Sequence, residues 1–399
     1  MAEAHRDTAD RVSSDRVSSG VWVLGFVSLF MDVSSEMIHS LLPLFMVTSL
    51  GASALAVGLI EGLAESTALI VKVFSGAVSD FLGKRKGLAV AGYALGAMSK
   101  PLFAMASSSV TVLTARLADR FGKGIRGAPR DAMVADMTPP HLRGAAFGLR
   151  QSLDTVGAFL GPLMAAGLMI LWNGNFRAVF WAAVLPGLAS VCLLVFGIRE
   201  PQSRSGEKKT NPIRKENLKR LGTPFWGVVA VGAIFTLARF SEAFLVLKAR
   251  QGGIPMALIP LVMAAMNVIY ALAAYPFGKL SDRISHRRLL AFGLFVLILS
   301  DLVLGGMDRW WGIMAGVALW GVHMGITQGL LAAMVAKTAP SDLRGTAFGF
   351  FNLASGVAML FASGIAGFLW TRFGPALTFY GGAAFSAAAI LALAWAPGK

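Results

Sequence analysis

Cysteine is almost absent: Cys192 is the single one in 399 residues, and it lies inside an apolar run. One thiol excludes a disulfide framework and a cysteine metal site. Charge is scarce too. Asp, Glu, Lys and Arg make up 14% of the chain, against roughly 25% in a soluble globular protein, and residues 178–198 contain none. Acidic residues are the scarcer sign, 21 Asp and Glu against 36 Lys and Arg, for a formal net charge of +15. The first nineteen residues, MAEAHRDTADRVSSDRVSS, lack an apolar core and so lack the make-up of a cleaved signal. They read as a short cytoplasmic tail.

What is present in excess is apolar: 56% of residues are hydrophobic and the mean hydropathy is +0.66. A soluble helical protein needs polar outer faces, and these runs have none, so the chain reads as an all-α, multi-span membrane protein in a lipid bilayer. In a soluble chain +15 would suggest nucleic acid, but here the positive-inside rule accounts for it. Residues 199–220 hold eight Lys/Arg and three Glu, and Lys84, Arg85, Lys86 and Arg283, Arg287, Arg288 form two further basic clusters. The alternate loops hold little beyond Arg177, Lys248, Arg250, Arg309 and Arg372. That sorts the loops into a cytoplasmic and an outer set, with both termini inside, as in a multi-pass protein of a bacterial inner membrane.

The densest charge inside an apolar span is residues 116–131, RLADRFGKGIRGAPRD, with seven charged side chains of sixteen. At about 100° per residue, Arg116, Asp119, Arg120, Lys123, Arg126, Arg130 and Asp131 fall within roughly 140°. Each such charge near a bilayer centre costs about 2.5–3.5 kcal/mol on an insertion scale, and no flanking Ala, Leu or Val returns more than about 0.6. The stripe must therefore face protein or a watery cavity. Gly122, Gly124 and Gly127 inside it fit G-x-G-x-x-G, but no strand precedes them and they lie within a span, which argues against a dinucleotide site.

Stretches near the spanning length of about 20 residues fall at roughly 20–48, 53–79, 87–106, 110–137, 144–172, 176–198, 224–248, 254–279, 288–306, 310–336, 345–370 and 375–396. That predicts twelve helices: a tail 1–19, a six-helix half 20–198, a basic linker 199–223 and a second six-helix half 224–399. The halves also repeat. PPHLRGAAFGL (139–149) aligns with PSDLRGTAFGF (340–350), Gly76/Asp80 with Gly278/Asp282, and Ser35-Glu36 with Ser241-Glu242. Parallel halves of this kind place a solute site near the midplane, at their interface.

Gly76, Asp80, Gly83, Lys84, Arg85 and Lys86 resemble the signature loop G-x-x-x-D-x-x-G-[RK]-[RK] of the major facilitator superfamily, and Gly278, Asp282, Arg287 and Arg288 resemble its second copy. The resemblance covers essentially the whole chain. It implies two pseudo-symmetric six-helix bundles and a cytoplasmic latch between them, with Asp136 as a partner for Lys84; Phe81 departs from the Arg usual after the Asp. Arg120 to Gly124 resembles the fourth-span motif R-x-x-Q-G, with Lys123 in place of Gln. Gly157, Gly161 and Pro162 resemble the motif of the superfamily's antiporters, departing at Ala165-Ala166, and imply export by exchange.

Asp32, Ser35, Glu36, His39 and Pro43 lie within an arc of about 100° on the first span, and two carboxylates within a span are a functional hypothesis by default. By the resemblance, a membrane-embedded acid pairs with a fourth-span Arg and exchanges that partner for a proton or solute, which makes Asp32 or Glu36 against Arg120 the expected switch. A permanently paired structural ion bridge is the other reading. Asp32, Glu36 and His39 also share a face suited to a divalent transition ion. Glu61, Glu65 and Lys72 share one face of the second span, as a helix–helix polar contact or a secondary proton path. Lys123, Arg126, Asp154, Arg239, Glu242, Asn267, His323, Gln328 and Asn352 complete the candidate cavity lining. The expectation is a monomeric secondary transporter, not an enzyme, with no cofactor, drawing on the proton gradient to export a small anionic or zwitterionic solute. A metal or metal-chelate exporter, a broad drug exporter, a lipid flippase and a transport-dead sensor remain open.

Overall fold

The computed structural model describes residues 17–82, 85–200, 220–340 and 343–395. In chain order its α-helices are α1 (Ser19–His39), α2 (Leu42–Thr48), α3 (Ala54–Leu82), α4 (Arg85–Ala104), α5 (Ser109–Asp136), α6 (Arg143–Leu171), α7 (Phe176–Ala182), α8 (Val184–Gly197), α9 (Thr223–Ala238), α10 (Ala243–Gln251), α11 (Pro260–Ser281), α12 (His286–Gly306), α13 (Trp310–Thr327), α14 (Leu330–Thr338), α15 (Arg344–Phe373) and α16 (Pro375–Trp395). Among the described residues, ten helices or collinear helix pairs are long and apolar enough to cross a membrane. The other two expected spans coincide with α4 and α5, 20 and 28 residues long but charged.

Four spans are broken rather than continuous: α1/α2, α7/α8, α9/α10 and α13/α14. In a bilayer the backbone groups freed at a break need protein partners, and the sequence supplies them. Ser34 Oγ donates to the Ala183 carbonyl between α7 and α8 at 2.6 Å. Ser363 Oγ on α15 accepts from the Ser241 amide between α9 and α10 at 3.3 Å. At the α13/α14 break Gly329 has φ +73°, a left-handed conformation that glycine adopts without strain.

Two long seams join the first half to the second, α3 on α15 and α6 on α11, and α10 makes a smaller contact with α2. The α6–α11 seam is held by a bond that the sequence motif itself creates. Pro162 has no amide hydrogen, so the carbonyl four residues before it loses its helical donor. That carbonyl belongs to Ala158, and Asn267 Nδ2 of α11 donates to it at 3.0 Å. Asn267→Leu would strand the carbonyl in the seam, costing about 1–3 kcal/mol; thermal unfolding in micelles should show the loss, and the further change Pro162→Ala should recover part of it.

Apolar packing closes the molecule at one end. The cluster built from Met37, Leu42 and Phe45 also contains Phe244, Leu245 and Ala366, so it spans both halves on the side away from the basic clusters. On the basic side the clusters remain separate: Val21, Tyr93 and Met133 in the first half, Phe235, Leu294 and Ile326 or Phe225 and Leu343 in the second. Among the described residues the buried apolar cluster shared by both halves therefore lies at the end away from the basic loops.

Candidate functional site

The charged stripe of α5 is pressed between α3 and α4, and the glycines make that possible. A Cβ at Gly122 would lie 2.6 Å from the Gly92 carbonyl of α4, and one at Gly124 would lie 2.7 Å from Val71 of α3. These close crossings bring the stripe within bonding distance of polar groups on three neighbours. Arg116 is almost fully buried and forks onto Glu61, Nε to Oε1 at 3.0 Å and Nη2 to Oε2 at 2.5 Å. Its Nη1 donates to the His39 Nε2. Asp119 receives Lys100 Nζ at 2.7 Å, and Lys100, fully buried on α4, also donates to Ser35 Oγ at 2.9 Å. Arg120 Nε lies 3.3 Å from Glu65 Oε1 and 3.6 Å from Asp119 Oδ2, with its Nη2 on the His39 ring at 2.8 Å.

Three cations and three carboxylates thus balance in one buried network of Lys100, Arg116 and Arg120 against Glu61, Glu65 and Asp119. A second network lies nearer the basic loops. Arg150 Nη1 donates to Asp154 Oδ2 at 2.5 Å, and Arg130 pairs with Asp131 at 3.1 Å and donates to Ser28 Oγ of α1 at 3.0 Å. Arg126 is buried between α4 and α5 with its guanidinium 4.9 Å from the Tyr93 ring centre.

Besides Arg126, which meets the Tyr93 ring and no carboxylate, three charged groups next to these networks lack a salt bridge to an oppositely charged side chain. Among the described residues Asp32 makes no ion pair, Glu36 meets only the His39 ring at 3.5 Å, and Lys123 is exposed and unpaired. These three are within electrostatic reach of one another, and Glu36 is also within reach of Glu242 across the interface between the halves. Glycines of α6 set their position: a Cβ at Gly157 would lie 3.0 Å from Asp32 Cβ, and one at Gly161 would lie 2.6 Å from Glu36 Cβ.

Several expected lining residues lie elsewhere. Glu61 is a buried helix–helix contact through Arg116, since only a bidentate cation compensates a carboxylate there. His323 is fully buried, its Nδ1 2.7 Å from the Gly293 carbonyl and its ring stacked on Phe235. Arg120 pairs with Glu65 and Asp119, not with Asp32 or Glu36, because those two acids of α3 and α5 are closer to it. Asp154 is held by Arg150, and Arg126 by packing. In the second half Arg239 and Glu242 pair at 3.4 Å in the α9/α10 break. Gln328 is exposed at the α13/α14 break and Asn352 is half-buried on α15. No group of three or more His, Cys, Asp or Glu suited to a metal occurs among the described residues, and the His39 ring faces two guanidiniums, donors with which a cation would compete. Two apolar grooves, one by Trp226 and Phe350 and one by Leu59 and Phe368, contain no charged side chain.

The sequence profile described as Major Facilitator Superfamily matches residues 24–252 and 243–399. The chain belongs to the major facilitator superfamily. It is 34% identical over 369 residues to an uncharacterised MFS-type transporter of Methanocaldococcus jannaschii, covering 91% of each chain. Its identity to the multidrug resistance protein MdtH of Photorhabdus laumondii is 25% over 368 residues, 88% of this chain and 86% of that one. A crystal structure of a variant of the nucleoside transporter NupG superposes with TM-score 0.77 at 14% identity, covering 94% of this chain and 98% of that one.

Of the superfamily latch, Lys84 lies outside the described residues, as does the Asp80 side chain. Arg85 pairs with Asp136, and the Glu200 carboxylate accepts from the Arg85 amide at 2.6 Å. Gly76 lies against Ala128, while Gly278 has open space around it and Asp282 is exposed at the end of α11. Lys100 and Arg150 are site residues that sequence reasoning missed. The signal of Lys100 was present, a lone lysine inside an otherwise apolar span.

Proposed function

We propose that this superfamily transporter is proton-coupled and exports a small zwitterionic solute by alternating access, with its basic loops and both termini on the cytoplasmic side of the cell membrane. The observation that carries the reading is the set Asp32, Glu36 and Lys123, which lack a salt-bridge partner of their own beside the ion-paired networks, with Arg126 packed on the Tyr93 ring next to them. Both signs of charge are open to a solute.

The sign of coupling follows from electrostatics. A solute exchanges with protons only if the two compete for the same group. A cationic group competes with a proton for Asp32 or Glu36, whereas an anionic group on Lys123 adds negative charge beside those acids and favours their protonation. Export by exchange therefore needs a cationic end on the acids, and Lys123 takes the anionic end. The curated relative MdtH, a multidrug resistance protein by name, supports export. A second reading rests on Lys123 alone: a purely anionic solute would travel together with protons.

Reconstituted vesicles separate the two. In acid-loaded proteoliposomes, external zwitterionic amino acids should alkalinise the lumen under exchange, and external organic anions should acidify it under co-transport. No pH change with either pool, while labelled solute equilibrates, would remove proton coupling. Lys123→Ala should lower solute affinity roughly tenfold to a hundredfold, the loss of one charge-assisted hydrogen bond of about 1.5–3 kcal/mol, without reversing the direction of the pH change.

A further inference from the structure

Asp301 of α12 is fully buried, and neither of its carboxylate oxygens has a hydrogen-bond partner. Its surroundings are aromatic and tight. A Cβ at Gly382 of α16 would lie 2.7 Å from Asp301 Oδ2 and 2.9 Å from the Phe240 ring. Phe240 packs in turn on Trp320 and Phe379, with ring centres 5.5 and 5.7 Å away. The titratable groups on the elements packed against α12 are His323 of α13, bonded to Gly293, Tyr380 of α16, stacked over Gly305, and Lys337 of α14; none pairs with Asp301. Burying an ionised carboxylate without a partner costs far more than burying one that carries a proton.

Phe240 connects this acid to the cavity. It belongs to the four-residue break between α9 and α10, which carries Arg239 and Glu242 at the cavity and Phe240 in the aromatic box. Asp301 is five residues from the end of α12, about 7.5 Å along the axis, on the side that the joint apolar cluster closes. When the halves part there, α10 leaves α2 and the break moves.

We propose that Asp301 is a second proton-carrying group, in the second half, shielded by Phe240 while the molecule opens toward the basic loops and exposed to the opposite side when it closes there. The inference rests on the proton-coupled reading. Withdrawal of Phe240 admits water, and Asp301 then exchanges its proton with the side opposite the basic loops. Each cycle would thus carry one proton more than the first-half acids alone.

The test reads the proton directly. The infrared carbonyl stretch of a protonated carboxylic acid is taken as the difference between the wild type and Asp301→Asn, from mildly acidic to alkaline buffer. In the wild type the band should be present throughout. Gly367→Trp wedges the α3–α15 seam, since even a Cβ there would lie 2.7 Å from the Ala54 carbonyl, and it should lose the band in alkaline buffer. Phe240→Ala should do the same without touching the seam. A band missing from the wild type, or one that persists in both variants at alkaline pH, would make Asp301 a structural residue and overturn the proposal. Solute-driven proton movement in the wild type is scored separately: its absence sinks the functional reading, whereas its presence with an untitratable band sinks only the role of Asp301.

Discussion

Replacing Arg116 by alanine is expected to cost about 3–5 kcal/mol of folding stability, the usual penalty for stranding one member of a buried ion pair. Arg116 and Glu61 are 3% and 5% exposed, so no water replaces the lost bonds. The guanidinium makes the two-pronged contact with Glu61 and also donates to His39, and it lies 3.8 Å from Asp119. Arg116→Lys keeps the charge but not the fork and should fall between wild type and alanine. The decisive variant is the pair Arg116→Met with Glu61→Leu. Removing both charges leaves no uncompensated ion, so the double variant should be more stable than Arg116→Ala, with a coupling energy of several kcal/mol in the double-mutant cycle. Thermal unfolding in detergent micelles reads Arg116→Ala, Arg116→Lys and the cycle of wild type, Arg116→Met, Glu61→Leu and their double variant. An Arg116→Ala variant that melts with the wild type would show that Glu61 finds another cation or stays wet.

Glu61 also shows how far the sequence was legible. Its heptad-like spacing with Glu65 and Lys72 identified a polar face on the second span, but two readings of that face were consistent with the chain alone. Choosing between them required knowing that Gly124 lets α5 approach α3 closely enough for a guanidinium to reach. The all-helical membrane fold, with ten helices among the described residues long and apolar enough to span, was legible together with the internal repeats and the antiporter-like glycines, because each is a local or periodic property of the chain. Which acids remain unpaired was not, since it depends on three helices meeting at once. Lys123 was singled out by its departure from the fourth-span motif, yet that it is exposed while Arg116 and Arg120 are consumed is a tertiary fact. Asp301 escaped for the opposite reason: a single Asp near the end of an apolar span resembles a residue reaching for water, and only packing shows that it has none.

Glu36→Gln is expected to abolish solute-driven proton movement while leaving solute flux, and the reason is the company Glu36 keeps. On the proton-coupled reading, closing the end away from the basic loops brings Glu36 of α1 within reach of Glu242 in the α9/α10 break. Like charges brought together repel, an effect that Arg239 beside Glu242 offsets in part. A proton on Glu36, or a cationic group of the solute between the two carboxylates, removes that repulsion. The empty, deprotonated carrier then closes less readily than the loaded or protonated one, and this asymmetry favours exchange. With Gln at position 36 the repulsion is gone whether or not anything is bound, so the empty carrier crosses freely. Labelled solute should then run down its own gradient without alkalinising an acid-loaded lumen. Asp32→Asn, which leaves the Glu36–Glu242 pair intact, should keep exchange but with weaker proton binding. If Glu36→Gln still moves protons and Asp32→Asn does not, the competition occurs at Asp32, beside Lys123 and the second ionic network, and the approach of the two glutamates is incidental to coupling.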